Sequence, residues 1–255
     1  MGYSSRPYAK GFLSGSSFPT GVRWLVISNT AIWFIYFLAT RFGIDQIFRH
    51  FPLVPSEVVT RFKLWELVSY MFLHDPNSLF HVLFNMLAIW MFGKDLEYVW
   101  GTRRFLNFYF TCGIGAGIIA IIGNYLIREQ NSGIIGASGA IFGLLLAFGM
   151  TFPDAIIILF IFPIKAKYFV MIAGAGAIFG ALMMQGGVSN SAHIGGLIVG
   201  YFALKSQQKK RPGRTAYSNP FQTMQQFYQN WKLQRAKRKF QVYLRKNGGQ
   251  DPWVQ

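Results

Sequence analysis

The chain has 255 residues, of which 52% are hydrophobic and only 13% are charged, and its formal net charge is +16. The charge is concentrated at one end, because residues 205–255 hold 12 of the 25 Lys and Arg residues and one of the nine Asp and Glu residues. This balance argues against a water-soluble domain and indicates a membrane core with a basic tail. Cys112 is the single cysteine, which excludes an intramolecular disulfide and a cysteine-based metal site.

Apolar stretches along the chain predict its membrane spans. The first 20 residues are polar, with no apolar segment of the kind found in a cleavable signal peptide. A helix needs about 20 residues to cross a bilayer, and six stretches approach this length: residues 22–42, 79–99, 104–127, 136–152, 166–185 and 190–206. We therefore predict an all-α membrane core over 22–206, between a cytoplasmic segment at 1–21 and a basic cytoplasmic tail at 207–255.

The positions of the basic residues predict the orientation of these spans. Lys and Arg precede span one, lie between spans two and three, precede span five and follow span six. With six spans all four regions fall on one side of the membrane, and positive charge is enriched on the cytoplasmic side. We expect both termini to be cytoplasmic, in a multi-pass protein of the bacterial inner membrane.

The loop after span one, residues 43–78, is too apolar to be simply dissolved in water. Its segment LWELVSYMFL, residues 64–73, is too short to cross the bilayer, so we expect a partly embedded or interfacial position. His50 and His74 of the same loop are interpreted as ordinary interfacial residues.

The connector between spans four and five, residues 153–167, has a different pattern. Pro153 and Pro163 bracket a β-rich run of nine residues that is too short to cross the bilayer. We predict a cytoplasmic hairpin that dips toward the membrane.

Polar side chains converge on the outer ends of three spans. Ser138, in GASGAIFG, and His193, in SAHIGGLIVGYF, each lie near the start of an apolar span. His81 and Asn85 lie near the start of span two, which runs in the same direction as spans four and six. Because ionisable and polar groups at membrane depth are costly and usually functional, this convergence predicts a site.

Small residues predict that spans four and six pack closely. Gly139 and Gly196 each belong to a row of small residues at steps of four, which lets membrane helices touch backbone to backbone. Such packing would bring the Ser138 hydroxyl to the His193 imidazole, and a neutral histidine is the usual base for a serine nucleophile. No Asp or Glu is obviously placed in the membrane to orient His193, which suggests a two-residue dyad.

Donors for an oxyanion are also present. His81 and Asn85 lie four residues apart and so share one helical face. Together with the Ser138 backbone N–H at a helix N-terminus, they could stabilise the negative charge that forms on an attacked carbonyl. Taken singly, these residues also fit packing, interhelical hydrogen bonds, or a proton or ion site.

Three motifs resemble, in sequence and order, those of the rhomboid family of intramembrane serine proteases: HVLFN, GASGAIFG and AHIGG. The resemblance covers roughly residues 60–204. It implies a six-helix membrane fold and substrates that are single-span membrane proteins cut near their outer ends. Hydrolysis by a dyad needs only water, so no cofactor is expected, and no Cys, His or carboxylate spacing in the sequence supports a metal site.

The resemblance also implies roles for individual residues: Ser138 as nucleophile, His193 as base, His81 and Asn85 in the oxyanion hole, and Gly136 in shaping the loop before the serine. Gly139 and Gly196, from the rows of small residues, and Phe142 are predicted to support the site.

Two positions depart from the family pattern. Phe142 stands where many members have Tyr, so its ring could stack on His193 without contributing a hydroxyl. Glu66 follows Trp65 where the family has a Trp-Arg pair, which leaves the role of that arginine open.

The basic tail suggests contact with lipid. Asn219 and Pro220 indicate a helix start, and the helix could run to about residue 245 with an apolar first half and a basic block. Either an interfacial helix on anionic lipid or a flexible basic tail fits this pattern, and no nucleic-acid-binding module is recognised.

Two other functions remain open from the sequence. An inactive rhomboid-like protein would bind membrane clients without cutting them, although such proteins generally lack the serine or the histidine. A transporter or channel could also use intramembrane Ser and His, but no internal repeat or pair of broken helices supports it. The sequence leaves the oligomeric state undetermined.

Overall fold

A computed structural model describes residues 18–159, 162–182 and 188–209. The described residues up to Ser206 belong to one compact unit. The predicted segment at 1–21 and the predicted tail helix at 219–245 lie largely or wholly outside the described residues.

Six long helices form the frame of the described chain: α1 (Thr20–Arg41), α4 (Leu79–Trp100), α5 (Thr102–Leu126), α6 (Ser138–Thr151), α7 (Ala166–Leu182) and α8 (Val188–Lys209). Each lies within a few residues of a predicted span. The first loop contains short helices α2 (Pro55–Arg61) and α3 (Glu66–Ser69), with 3₁₀ turns at Asp45–His50 and Tyr70–Phe72. An antiparallel hairpin of β1 (Ile156–Leu159) and β2 (Phe162–Lys165) joins α6 to α7, which confirms the predicted hairpin.

Three of the described helices, α1, α4 and α5, are long and apolar enough to cross a membrane. Helices α6 and α7 are apolar but shorter, and at 1.5 Å per residue they reach about 21 Å and about 26 Å. The bilayer core is about 30 Å thick, so α6 is shorter than the hydrocarbon layer. A bundle of apolar helices that fits a membrane protein is therefore observed, and the crossing of the bilayer by all six helices stays a prediction.

Helix α5 lies at the centre of the bundle. Its buried face carries Phe105, Phe108, Tyr109 and Cys112, all with no exposed surface. Small residues bring the neighbouring helix close, because a side chain added at Gly143 of α6 would meet Cys112. The cysteine is thus a packing residue in the core.

A buried carboxylate anchors the start of α1. The Oε atoms of Glu97, near the end of α4, accept hydrogen bonds from the backbone N–H groups of Gly21 and Val22 at 2.7 and 2.8 Å. The Thr102 hydroxyl donates to the same carboxylate at 2.6 Å. Because the first N–H groups of a helix lack intrahelical partners, Glu97 supplies acceptors that this buried end needs.

The apolar side chains of the first loop fall into two sets, one buried against the bundle and one exposed. Tyr70 and Met71 of the segment at 64–73 are buried in the protein, and the Tyr70 hydroxyl donates to the carbonyl of Gly113 in α5 at 2.7 Å. Other large apolar side chains of the loop are exposed, among them Phe42, Ile44, Ile47, Phe62, Leu64 and Trp65. The inward set attaches the loop to the bundle, and the outward set gives it an apolar surface.

Candidate active site

Ser138 and His193 meet at the same end of two adjacent helices. Ser138 is the first residue of α6, and His193 lies in the second turn of α8. Their side chains are joined by a hydrogen bond of 2.8 Å between the serine Oγ and the histidine Nε2. Both residues are partly exposed, so the pair lies within reach of a ligand.

Glycine contacts explain how a serine and a histidine 55 positions apart are held at this distance. A Cβ added at Gly196 of α8 would overlap the carbonyl group of Gly139 in α6. One turn further on, a Cβ at Gly200 would lie 2.9 Å from the Cα of Gly143. The predicted backbone-to-backbone packing of these helices is therefore observed.

Phe142 holds the plane of the His193 ring. The two rings stack with centroids 4.3 Å apart and an angle of 16° between their planes. Phe142 lies one turn after Ser138 on α6, so one helix presents both the hydroxyl and the stacking ring. The stacking uses the ring face and does not require the hydroxyl that many family members carry here.

The loop before Ser138 requires glycine at position 136. Gly136 has a φ of +116°, a conformation that side chains rarely permit. A Cβ at this position would also lie 2.9 Å from the Nε2 atom of His81. The Gly136 N–H donates to the carbonyl of Tyr70 at 2.9 Å, so the first loop holds this turn in place.

The loop before α4 selects the tautomer of His81. The backbone N–H of Asp75 donates to His81 Nδ1 at 3.3 Å, which leaves the proton of a neutral ring on Nε2. The Asp75 carbonyl accepts a hydrogen bond from the Trp33 indole of α1 at 3.0 Å, which fixes this part of the loop. The Nε2 atom of His81 therefore points as a donor toward the Gly136 turn beside Ser138.

Asn85 lies one turn further along α4 and is buried. Its Nδ2 atom donates to the carbonyl of His81 at 2.7 Å, which uses one of its two amide hydrogens. Its Oδ1 atom is buried without a hydrogen-bond partner among the described residues. The structure thus places His81 directly at the Gly136 turn, and Asn85 is hydrogen-bonded to the backbone carbonyl of His81.

His74 corrects one prediction from the sequence. The interpretation of His74 as an interfacial residue is wrong, because its side chain has no exposed surface and packs edge-on against the His81 ring, with centroids 5.0 Å apart. Neither of its ring nitrogens makes a hydrogen bond of ordinary distance and angle among the described residues, and a weaker contact with the Phe72 backbone only partly opposes the effect of burial. Burial, and then the nearby His81, lower the pKa of His74 to about 4. His50, by contrast, is exposed.

A family comparison identifies the fold around this site. A family model described as the Rhomboid domain matches residues 61–206, which is more than half of the chain. The chain belongs to the rhomboid family. The matched region contains Ser138, His193, His81 and Asn85, as well as the buried His74.

Several proteins resemble this rhomboid in sequence. The mitochondrial Rhomboid protein 1 of Saccharomyces cerevisiae is 32% identical over 145 residues, which cover 54% of this chain and 42% of that protein. Rhomboid protease GluP of Bacillus subtilis is 32% identical over 154 residues, covering 58% and 27% of the two chains. Rhomboid protease GlpG of Haemophilus influenzae is 26% identical over 173 residues, covering 67% and 84%. This rhomboid thus spans less than half the length of the first two relatives.

Within the described ranges, no group of three His, Cys, Asp or Glu side chains is placed to hold a metal ion. The residues gathered at the site are instead a hydroxyl, imidazoles and a carboxamide. This set suits proton transfer and hydrogen bonding to a developing negative charge.

Burial of His74 predicts a pH dependence of stability. The unfolded chain binds a proton at this histidine below about pH 6.5, whereas the folded rhomboid resists it until about pH 4. Because only the unfolded chain takes up this proton, the contribution of His74 to the free energy of unfolding is complete above about pH 6.5. It falls by about 3 kcal/mol as the pH drops to 4. We expect the apparent Tm of the wild type in detergent to fall more steeply over this range than that of His74→Phe. Parallel curves would show that His74 is not held neutral.

The Gly136 turn predicts a loss of activity from a single methyl group. Gly136→Ala should lower the rate of any reaction in which Ser138 attacks a substrate by a factor on the order of 10–100, because the new Cβ displaces His81 or the turn before Ser138. Gly43→Ala is a matched control, since Gly43 also has a positive φ of +69° but nothing within 4 Å of an added Cβ. Comparable losses in the two variants, measured as initial rates, would mean that backbone strain and not the His81 contact is responsible.

Proposed function

We propose that this rhomboid is an intramembrane serine endopeptidase that hydrolyses peptide bonds in or near the transmembrane segments of membrane proteins. The observation that carries the proposal is the 2.8 Å hydrogen bond between Ser138 Oγ and His193 Nε2 at the start of a short apolar helix. A histidine at this distance can take the hydroxyl proton as the oxygen attacks.

The residues of the site support a two-step hydrolysis. In the first step Ser138 Oγ attacks the carbonyl carbon of the substrate, its proton passes to His193 Nε2, and the imidazolium then protonates the leaving amine as the C–N bond breaks. In the second step His193 takes a proton from a water molecule that attacks the acyl-serine ester. The C–O bond to Ser138 then breaks, and the serine recovers its proton from His193.

His81 is the strongest candidate for the oxyanion donor. Its Nε2–H points at the Gly136 turn, and a Cβ at Gly136 would lie 2.9 Å from that nitrogen and 3.9 Å from Ser138 Oγ. An oxyanion formed on a carbon bonded to Ser138 Oγ would occupy this region, where the Ser138 backbone N–H at the helix N-terminus also favours negative charge. Asn85 serves as a second side-chain donor through its remaining amide hydrogen.

The proposed setting of the site is the outer half of the bilayer. Six spans over residues 22–206, with both termini cytoplasmic, put the Ser138 end of α6 outside and its Thr151 end inside. Because α6 is only about 21 Å long, a helix anchored near the inner surface begins below the outer surface. Single-span membrane proteins, cut near their outer ends, are the proposed substrates, and a bacterial inner membrane is the proposed location.

The relatives support this assignment over an inactive binding protein. GluP and GlpG are named as rhomboid proteases. Loss of activity would be expected from loss of the serine or histidine, and this chain has both, at hydrogen-bond distance. An assignment as transporter or channel has no comparable geometric support.

Reconstitution with a substrate separates protease from binding protein. The full chain, in proteoliposomes with a panel of single-span test substrates carrying a fluorescent reporter, is expected to release a cleaved outer fragment from at least one of them. The fragment should keep an intact N-terminal reporter, with the cut mapped by mass spectrometry to within or beside the apolar segment. Co-purification with the substrates and no cleavage of any of them would favour the binding protein.

The tail from residue 207 to 255 is proposed to contact anionic lipid through its basic residues. Each Lys or Arg close to an anionic membrane surface contributes about 1 kcal/mol to such binding. No nucleic-acid partner is proposed.

A further inference from the structure

The hairpin between α6 and α7 has two unlike faces. In its register Ile156 pairs with Lys165 and Ile158 pairs with Pro163, and directly opposed residues of a hairpin lie on the same face. Ile156 and Ile158 are 70% and 71% exposed, and Pro163 and Lys165 are exposed as well. On the opposite face Ile157 is only 5% exposed and packs into the core. We call the face of Ile156, Ile158, Pro163 and Lys165 the outward face.

Backbone hydrogen bonds fix the hairpin to the end of the bundle opposite the candidate active site. It follows Thr151, the last residue of α6, whereas Ser138 is the first. The N–H of Ala166, at the start of α7, donates to the carbonyl of Ala155 at 2.8 Å. The N–H of Lys167 donates to the carbonyl of Pro153 at 3.2 Å. The orientation of the hairpin is therefore tied to the start of α7.

The apolar exposed surface continues along the chain into α7. Its first turns expose Tyr168, Met171 and Ile172, each by more than half. In a membrane protein such a helix face is covered by lipid. The outward face of the hairpin lies directly before this surface in the chain.

A charge cluster stands beside the outward face. The carboxylate of Asp154 lies 3.3 Å from the ammonium groups of both Lys165 and Lys167, and both lysines are about half exposed. Hydrogen bonds from Lys167 and then Lys165 hold the pKa of Asp154 below its usual value, so its carboxylate stays ionised. Two ammonium groups and one carboxylate leave the cluster with a net positive charge.

We infer that the outward face of the hairpin inserts into the interfacial layer of the bilayer, with Lys165 and Lys167 against the head groups of anionic phospholipids. Isoleucine side chains beside lysines match the two layers of that interface, because the apolar groups reach the acyl boundary while the ammonium groups stay with the phosphates. The choice of the cytoplasmic leaflet rests on the proposed orientation of the protease, whereas insertion itself does not.

A protein partner fits this surface less well. Two isoleucines and a proline offer far less area than the roughly 1,200 Å² or more that a specific protein interface buries. A bilayer sets no such minimum, since binding grows with each apolar side chain and each lysine.

The test measures the depth of the hairpin directly. Ile158→Cys in the full chain, with Ser138→Ala also present, is labelled with the dye NBD and reconstituted in phosphatidylcholine vesicles with and without phosphatidylglycerol. Cys112 is buried and should react little with the dye. Any labelling of Cys112 is measured in the Ser138→Ala chain that lacks the new cysteine. The matched control is Asn131→Cys, which lies in an exposed polar loop. Because no cleavage is involved, the result is independent of the proposed proteolysis.

Lipids with a nitroxide near the head group should quench the dye at position 158 several-fold more than at position 131. Phosphatidylglycerol should increase the quenching at 158, and Lys165→Gln should weaken that increase. Equal quenching at both positions would overturn the inference. Dye emission at 158 that changes with protein density and not with nitroxide lipid would also overturn it, and would point to a second copy of the chain.

Discussion

Ser138→Ala is expected to abolish cleavage of a single-span substrate, and His193→Ala to lower its rate by a factor on the order of 10⁴ or more. The serine variant lacks the attacking oxygen, and the histidine variant leaves a hydroxyl without the base that lies 2.8 Å away. Combining both changes should cost little more than the larger single loss, because the two residues act as a unit. Initial rates in proteoliposomes measure all three variants.

Ser191→Ala is the matched control for this prediction. Ser191 lies two residues before His193 on α8, but its hydroxyl faces Gly123 of α5, where an added Cβ would lie 2.8 Å from Ser191 Oγ. Its variant should cleave at close to the wild-type rate. Cleavage that survives Ser138→Ala, or that is lost equally in Ser191→Ala, would contradict the assignment of the nucleophile.

Gly196→Ala should lower activity by a factor on the order of 10² or more and also destabilise the fold by about 1–3 kcal/mol. The added Cβ overlaps the carbonyl group of Gly139, so α8 must move away from α6. That movement separates His193 from Ser138, although neither of these two proposed catalytic side chains has changed. Cleavage rate and apparent Tm are measured on the same preparation.

Gly176→Ala provides the control for the glycine substitution. Gly176 lies in α7 with nothing within 4 Å of an added Cβ, so alanine should be neutral or stabilise the helix by up to about 1 kcal/mol. If Gly196→Ala behaves like Gly176→Ala in both measurements, close packing of α6 and α8 does not position the dyad.

The contact between Ser138 and His193 could be predicted from sequence because two independent patterns agree. Rows of small residues containing Gly139 and Gly196 specify which helix faces touch, and the two polar residues adjoin those rows at the same end. A local pattern thus determined a contact across 55 positions. The length of the apolar stretches also located the six long helices, since stretches of this length have few other folds available in a membrane.

The start of α6 was harder to locate. The predicted span begins at residue 136, whereas the helix begins at Ser138, because Gly136 adopts a positive φ and ends the preceding loop. Hydropathy does not distinguish a glycine in a helix from a glycine in a turn. The two-residue difference matters, since it makes Ser138 the first residue of the helix.

His74 and Glu97 could not be assigned from the sequence. Each is a polar residue whose role depends on a tertiary contact: His74 packs on His81, and Glu97 caps α1 across 75 positions or more. A polar side chain at the end of an apolar run fits an interfacial position as well as a buried one. Only packing separates these possibilities.

Glu66 shows how a departure from the family pattern is accommodated. Its side chain is 1% exposed, and Oε2 accepts a hydrogen bond from the N–H of Val54 at 2.9 Å. Burial raises the pKa of Glu66, whereas the Val54 N–H and the nearby Lys63 act against this rise. The glutamate thus joins two parts of the first loop.

Labelling with a fluorophosphonate tests the central claim most directly, because the reagent reacts with a serine that a base has activated and requires no knowledge of the substrate. The chain in detergent or vesicles is treated with the reagent and digested, and the adduct is mapped by mass spectrometry. We predict one adduct, on Ser138, that is lost in Ser138→Ala and strongly reduced in His193→Ala. An adduct on another residue, or no adduct on a folded wild type, would contradict a Ser138–His193 dyad.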